Sequence, residues 1–501
     1  MVVTCQQMRE IEEQAFASGV TAADLMDEAG RGIAEVISQF HPKPGSLGLY
    51  LGKGNNAGDA LVAARVLIEK GWQVFARLAF AEADFKPLPK GHWEILKNRL
   101  TLISRSEEIP ERVGVYVLLD GLVGIGAEGP LGTTLSPLAE EMNALRQSRH
   151  ARVIAMDIPS GLDGDTGEPH EVCVMADVTA TVSRVKQGLL SDRATSCVGR
   201  LAVVPVAALD STKPAGPVDV LTSRQLRRQL PRRPFDFHKG MAGRVGVIAG
   251  SKGFTGAAVL AATGALRGGA GLVTLFVKDD AYAAIAGRAP LESMVKCVSD
   301  YRDLISLQVD AWAVGPGLGF EHEAEILDLI REAAAPMVID ADALTMLGRA
   351  ELKGLSEAKY PRLLTPHPGE MQRLIANRLE WQTMGRRDLE EAFSTAHPTC
   401  TLLLKGARTV IAEHGKPTAF NTTGSPGMAS GGMGDLLTGV CAALLAQGVS
   451  AISAACIGAW VCGRAAEIAL SSGDCSEETL LATDVAARLG EAFIGLQEGS
   501  F

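Results

Sequence analysis

The 501-residue chain is poor in the features that mark several functional classes. Aromatic residues make up 5% of it, with five tryptophans and five tyrosines, too few to pave a stacking platform for single-stranded nucleic acid. Basic charge is in deficit, 48 Lys and Arg against 58 Asp and Glu for a formal net charge of −10, so no positive footprint for a phosphate backbone is present. The nine cysteines (Cys5, Cys173, Cys197, Cys297, Cys400, Cys441, Cys456, Cys462, Cys475) never form a CxxC pair. They read as reduced, mostly buried thiols and exclude a disulfide framework or a zinc site. The opening MVVTCQQMREIEEQ has no basic start and no apolar core, and predicts no secretory signal. The longest apolar run, AISAACIGAWVC at 451–462, falls short of the roughly 20 residues that span a bilayer. No Walker GxxxxGK[ST] spacing occurs, and the turn GKGNNAGD at 52–59 does not have the GxGxxG spacing. These absences predict a soluble cytoplasmic protein with no nucleic-acid or membrane partner.

What the chain has is length for two domains and 55 glycines. The densest glycine cluster is NTTGSPGMASGGMGDLLTGVCAALLAQG, residues 421–448. Gly424, Gly427, Gly431, Gly432 and Gly434 precede Asp435 and an apolar run with helical spacing, which predicts a glycine loop feeding a helix N-terminus. Unpaired N–H groups and the helix dipole suit such a place to phosphate. Asp435 reads either as the N-cap of that helix or as a carboxylate, kept ionised by the dipole, that accepts a proton from a hydroxyl undergoing phosphorylation.

The first half opens with helical periodicity at 4–17 and 24–38. LGLYLGKGNNAGDALVAARVLIEKGWQVFARLAF, 47–80, then predicts a strand, a glycine turn, a helix and a second strand. Asn55, Asn56 and Asp59 cluster in the turn, as ordinary turn formers or as hard oxygen donors. Two further strand ends carry polar loops, DGLVGIGAEG after Asp120 and DIPSGLDGDTG from Asp157. In a parallel sheet, loops at the carboxyl ends of strands can converge on one pocket. Strands near 178–182 and 201–205 close this domain, and the small, polar, Pro-containing stretch 207–219 predicts a linker. The five arginines of 221–234 read as a solvated connecting helix.

The second half repeats the plan. Val245 to Ala249 enters a Gly-Ser turn, followed by a helix rich in small residues that permit close packing. AWAVGPGLG (311–319), PMVIDADAL (336–344) and RLLTPHPGEMQRL (362–374) are strands running into turns; the last presents His367 between prolines, with a helix from 369 or 370. Successive strands over 400–424 enclose Lys405 and Thr409 in a turn suited to adenine-nucleotide contacts.

GNNAGD, DGLVGIG and DIPSGLDGDTG, in this order, resemble the NAD(P)H-hydrate epimerase domain, with Ala57 and Ala60 standing where that family usually carries glycine. HKGMAGRVGVIAGS, GPGLG, VIDADAL, LTPHPGE, LKGART and ASGGMGDLLTG resemble the ribokinase-like NAD(P)H-hydrate dehydratase family. The resemblance covers nearly the whole chain. It implies an α/β protein of two three-layer α/β/α domains, Rossmann-like over 1–210 and ribokinase-like over 220–501. For the first domain it implies a potassium site from Asn56, Asp120 and Ser160, and epimer contacts from Asn55, Asn56, Ala57, Gly58, Asp59, Gly124, Ile125, Gly126, Gly129, Pro130 and Asp157. Asp157 is the chosen acid/base group. For the second it implies that Ala257, Gly317, His367 and Asp435 face the S epimer and that Lys405, Gly406, Ala407, Arg408, Thr409 and Gly434 face ADP, with Mg²⁺ bridging its phosphates and Asp435 as base. Substrates would be hydrated NADH and NADPH, and a homo-oligomer is expected. Two rival readings are a ribokinase-class small-molecule kinase, which leaves the first domain unexplained, and a nucleotide-binding scaffold without turnover.

Overall fold

Several strands carry apolar side chains at successive positions; Ser46–Leu51, for one, is buried along its whole length. Such a strand needs helices on both faces of its sheet. A computed structural model, which describes residues 2–109, 114–210 and 216–501, divides into two units, Met1–Gly216 with Phe501 and Pro217–Ser500.

The first unit is built on seven parallel strands: Ser46–Leu51, Gln73–Leu78, Thr101–Ile103, Tyr116–Gly121, Arg152–Met156, Val178–Val182 and Arg200–Val204. Numbered along the chain, they lie in the order 3-2-1-4-5-6-7. Leu47, Leu49 and Leu51 pack toward helices Ala22–Phe40 and Asn55–Glu69, whereas Tyr50 and Leu118 pack toward helix Ser136–Ser148. The order reverses between strands 1 and 4, and their carboxyl ends flank the crevice where sheets of this kind bind ligands. A separate two-stranded ribbon pairs Val2–Val3 with Val185–Lys186.

The second unit has ten strands, and its core of seven parallel strands, from Arg244–Ile248 to Cys400–Leu404, repeats the same order. Antiparallel strands Val410–Glu413 and Thr418–Phe420 extend it, and Val218–Val220 closes the edge. One face carries helices Thr255–Arg267, Met433–Ala446, Ala451–Ser472 and Ala482–Glu498; the other carries Glu323–Glu332, Ala341–Arg349, Pro368–Leu374 and Arg386–Ala396.

Several expectations change. The linker at 207–219 contains a helical turn, Ala207–Asp210, and the edge strand Val218–Val220, while 211–215 lie outside the described residues. The connecting helix shrinks to Ser223–Leu226 and a 3₁₀ turn, Arg227–Gln229. The apolar run at 451–462 is the first half of a 22-residue helix that is long and apolar enough to cross a membrane; 83% of its apolar window is buried inside the protein, which accounts for its composition as a core helix.

The small residues of helix Thr255–Arg267 serve a specific contact. A Cβ on Gly264 would lie 2.2 Å from the Leu436 carbonyl oxygen, and one on Gly439 would lie 2.0 Å from that of Ala261. The two helices therefore touch backbone to backbone. Gly439→Ala is expected to destabilise this unit by about 1–2 kcal/mol, the overpacking penalty less the helix-propensity gain, read as a lowered denaturant midpoint of its unfolding transition.

Candidate active sites

In the first unit the stretch expected as a turn is already helix. Asn55–Glu69 starts at Asn55 with Gly54 as an N-cap that offers no side chain to the first amides. Ala57 and Ala60 are fully buried inside this helix, so neither needs the positive φ that would favour glycine. Glycine is required at Gly52, where a Cβ would lie 1.9 Å from the Leu122 carbonyl oxygen, which draws the loops after strands 1 and 4 together. Asn56 Nδ2 donates to the Val123 carbonyl at 2.8 Å. Asp120 accepts from Ser160 Oγ at 2.7 Å on Oδ1 and from Ser160 N at 2.8 Å on Oδ2. The Val123 amide closes the group by donating to Ser160 Oγ at 3.2 Å. Asn56, Asp120 and Ser160 thus come together from three strand ends. Burial pushes the Asp120 carboxyl up to about 6 against the lowering effect of the Ser160 and Leu122 hydrogen bonds.

Asp157 sits at the fifth strand end with φ of +63°, a conformation that costs a non-glycine residue of order 1 kcal/mol or more unless its surroundings impose it. They do so through one oxygen. Oδ1 accepts from Val182 N at 3.0 Å, from Thr181 Oγ1 at 3.3 Å and from Lys186 Nζ. Among the described residues, no hydrogen bond reaches Oδ2. Asp59 faces the same place; burial, then the Asp157 and Glu12 carboxylates, push it well above the ordinary carboxylate range. Gly124 approaches Asn56, and Ile125 accepts from Arg9 through its carbonyl at 2.8 Å. Gly126, Gly129 and Pro130 are exposed on the same loop. Sequence reasoning missed Arg9, Glu12, Thr181 and Lys186: the N-terminal helix showed only periodicity, and a lysine in a two-residue strand leaves no pattern.

In the second unit Gly432, in the left-handed region at φ +89°, is the N-cap of Met433–Ala446, and no side chain caps the helix. Asp435 is the third helical residue, not the cap. Its shift is also opposite to that of a dipole-stabilised anion: burial, then Asp340, push the carboxyl up to about 6, with Asp342 and Glu370 adding to the rise and Lys405 opposing it. Of the five loop glycines only Gly424 and Gly432 use positive φ. At Gly434 space decides, since a Cβ would stand 3.1 Å from Lys405 Nζ and 3.4 Å from Asp340 Oδ2.

Asp340 anchors the site. It accepts from Lys405 Nζ at 2.8 Å and from Thr438 Oγ1 at 2.8 Å; Lys405 also lies 3.8 Å from Glu370. Although burial opposes it, the Lys405 ammonium holds Asp340 below the usual range. His367 is the N-cap of Pro368–Leu374, a helix that starts one residue earlier than expected. Its Nδ1 accepts from Gly369 N at 3.0 Å and Glu370 N at 3.4 Å, and its Nε2 lies 3.5 Å from Glu370 Oε1. Gly317 lies against Ala257 and Phe254, and Gly319 N donates to Asp342 at 2.8 Å, which ties that turn to the carboxylates around Asp435. Gly406 and Ala407 are exposed; Arg408 is buried, its carbonyl held by Arg386 at 2.7 Å. The Thr409 carbonyl accepts from Asn421 N at 2.8 Å. Thr438 and Glu370 were not singled out from sequence, although Glu370 belongs to the LTPHPGE motif.

Residues 245–487 match the model of the NAD(P)H-hydrate dehydratase family, and 22–188 match that of the YjeF-related protein N-terminus. The bifunctional NAD(P)H-hydrate repair enzyme of Moorella thermoacetica is 34% identical over 93% of this chain and 92% of its own. That of Coxiella burnetii is 34% identical over 96% of each, and that of Escherichia coli 34% over 91% and 87%. A solved ADP/ATP-dependent NAD(P)H-hydrate dehydratase from Bacillus subtilis is 29% identical, with 56% of this chain and all of that one covered, at a TM-score of 0.48. With both halves matched in order and relatives aligned from end to end, the chain belongs to the family of bifunctional NAD(P)H-hydrate repair enzymes, an isomerase and a lyase in one polypeptide.

Proposed function

We propose that the second unit dehydrates the S epimer of hydrated NADH and NADPH at the expense of ADP, releasing AMP and phosphate, with Asp435 as base. The first unit interconverts the R and S epimers through Asp157. The observation that carries the reading is the placing of Asp435, half-buried at the carboxyl ends of the sheet and surrounded by Asp340, Asp342, Glu370 and Lys405. Hydroxide is a poor leaving group at neutral pH and phosphate a good one. Asp435 takes the C6 hydroxyl proton as that oxygen attacks the terminal phosphorus, and the uncapped amides at 431–434 together with Lys405 face the charge that develops on the phosphoryl group.

Among the described residues no group of three or more His, Cys, Asp or Glu is arranged to hold a metal. Mg²⁺ would enter on the nucleotide phosphates, since this ion keeps phosphate and water ligands in preference to a protein cage; bound there it would neutralise phosphate charge. The oxygen-only set of Asn56, Asp120 and Ser160 fits potassium, which would supply a fixed positive charge beside the epimer pocket. Asp120→Asn is expected to raise the K⁺ concentration for half-maximal epimerisation by about tenfold, an effect of roughly 1.4 kcal/mol, measured by exchanging KCl for choline chloride at constant ionic strength.

The reading is tested by chromatography of hydrated NADH incubated with the protein, ADP, K⁺ and Mg²⁺. NADH restored with one AMP per turnover is expected. A stable phosphorylated acceptor would favour a ribokinase-class kinase, and binding without turnover a scaffold.

A further inference from the structure

We propose that Lys186 is the positioning residue of the epimerase pocket, holding Asp157 as an aimed carboxylate through a buried ion pair; this rests on the assignment of Asp157 as the acid/base group. The Lys186 side chain is wholly buried, and a buried ammonium is strongly unfavourable unless it is paired and its donors are used. All three of its protons find oxygens: Asp157 Oδ1, Thr181 Oγ1 at 3.4 Å and the Val182 carbonyl at 3.3 Å. The lysine is itself held in place, because Val185–Lys186 pairs with Val2–Val3, and helix Cys5–Ala17 follows directly.

The arrangement is lopsided. Among the described residues every hydrogen bond to the Asp157 carboxylate falls on Oδ1, which also takes the Val182 amide and the Thr181 hydroxyl. Oδ2 receives none and stays available to a ligand. A residue needed only for packing would not require a buried cation.

The surroundings make the charge necessary. Helix Cys5–Ala17 brings Glu12, Cys5 and Arg9 toward the pair, helix Asn55–Glu69 brings Asp59, and the loop after Asp157 brings Asp165, which accepts from Cys5 N at 2.7 Å. Glu12, Asp59 and Cys5 are each raised, first by burial and then by neighbouring acids that in every case include Asp157. Without Lys186 the Asp157 carboxylate would keep these acids as neighbours with no buried cation paired to it.

The test uses the full chain and purified epimers without ADP, so that dehydration does not run, and follows R and S interconversion by NMR after subtracting the spontaneous rate. Lys186→Gln is expected to lower the rate constant at pH 7 by on the order of 100-fold, with KM changed less than about threefold. The acid limb of its pH profile should move up by about one unit or more, so that activity recovers as pH rises. Lys186→Arg keeps the charge and should leave that limb in place while lowering the rate. Dehydration of the S epimer with ADP should be unchanged in both and serves as the internal control. A folded Lys186→Gln enzyme whose acid limb has not moved would overturn the proposal. If that variant does not fold, Lys186→Arg decides, since a limb displaced upward despite the retained charge would equally overturn it. The underlying assignment fails separately: Asp157→Ala with a wild-type rate removes the base itself, whereas an inactive Asp157→Ala beside an unmoved Lys186→Gln limb removes only the role of the lysine.

Discussion

Asp435→Asn is expected to lower ADP-driven dehydration by roughly 10²–10⁴-fold, the range for loss of a general base, while R and S interconversion followed by NMR stays at the wild-type rate. The substitution keeps the volume and the helical position, so its effect is confined to the proton. In the wild-type enzyme the carboxyl stands at about 6, raised first by burial and then by Asp340. The base works ionised, so kcat/KM should climb as pH rises through about 6 and level off above it. Bringing in the nucleotide adds negative charge nearby and should carry the limb seen in kcat higher than the limb in kcat/KM. Lys405→Met removes the cation that opposes the rise and should displace both limbs upward. A normal dehydration rate in Asp435→Asn, or a profile flat from pH 5 to 8, would take Asp435 out of the chemistry.

The reciprocal result is expected from Asp157→Ala. Dehydration of pure S epimer should run normally, and a mixed pool should be repaired only as far as its S fraction, with the R epimer then disappearing at the spontaneous rate. The enzymatic interconversion rate should fall by about 10²–10⁴-fold. Part of the alanine effect is electrostatic, since it leaves Lys186 buried with only Thr181 and the Val182 carbonyl as partners. The same change also removes the side-chain bonds that hold a left-handed backbone. Thermal unfolding therefore accompanies the assay, and full consumption of both epimers at the wild-type rate would count against Asp157.

The α/β architecture and its strand-end loops were legible because they are local: an apolar run, a glycine, a polar residue and a helical period sit within a dozen positions. Pairings between distant segments were not. Lys405 and Asp340 are 65 residues apart, and Lys186 and Asp157 are 29 apart, with no periodicity linking either pair. The edge strand Val218–Val220 was hidden because three residues beside prolines look like linker. The helix start at Met433 was misplaced for a different reason. Glycine is a poor helix former, so GGMGD reads as loop up to Asp435, yet Met433 and Gly434 already form the first turn of helix Met433–Ala446. At Gly434 the want of a side chain leaves room for Lys405 and Asp340, a reason for glycine that local preference does not reveal.

The single unclaimed oxygen of Asp157 has a stereochemical consequence. An epimerase with bases on both sides of a ring can invert a carbon while the ring stays put. On the proposed role of Asp157, with Asp59 raised by burial and by the Asp157 and Glu12 charges, the C6 hydroxyl of either epimer gives its proton to the same oxygen. That is met by ring opening: Asp157 takes the hydroxyl proton and hands it to N1 as the C6–N1 bond breaks and C6 becomes an aldehyde, the carbonyl turns over, and N1 closes on its other face as the proton returns to the oxygen. In this pocket the substrate is the moving part and the protein the stationary one, and what the reaction asks of the surrounding loop is room for that turn.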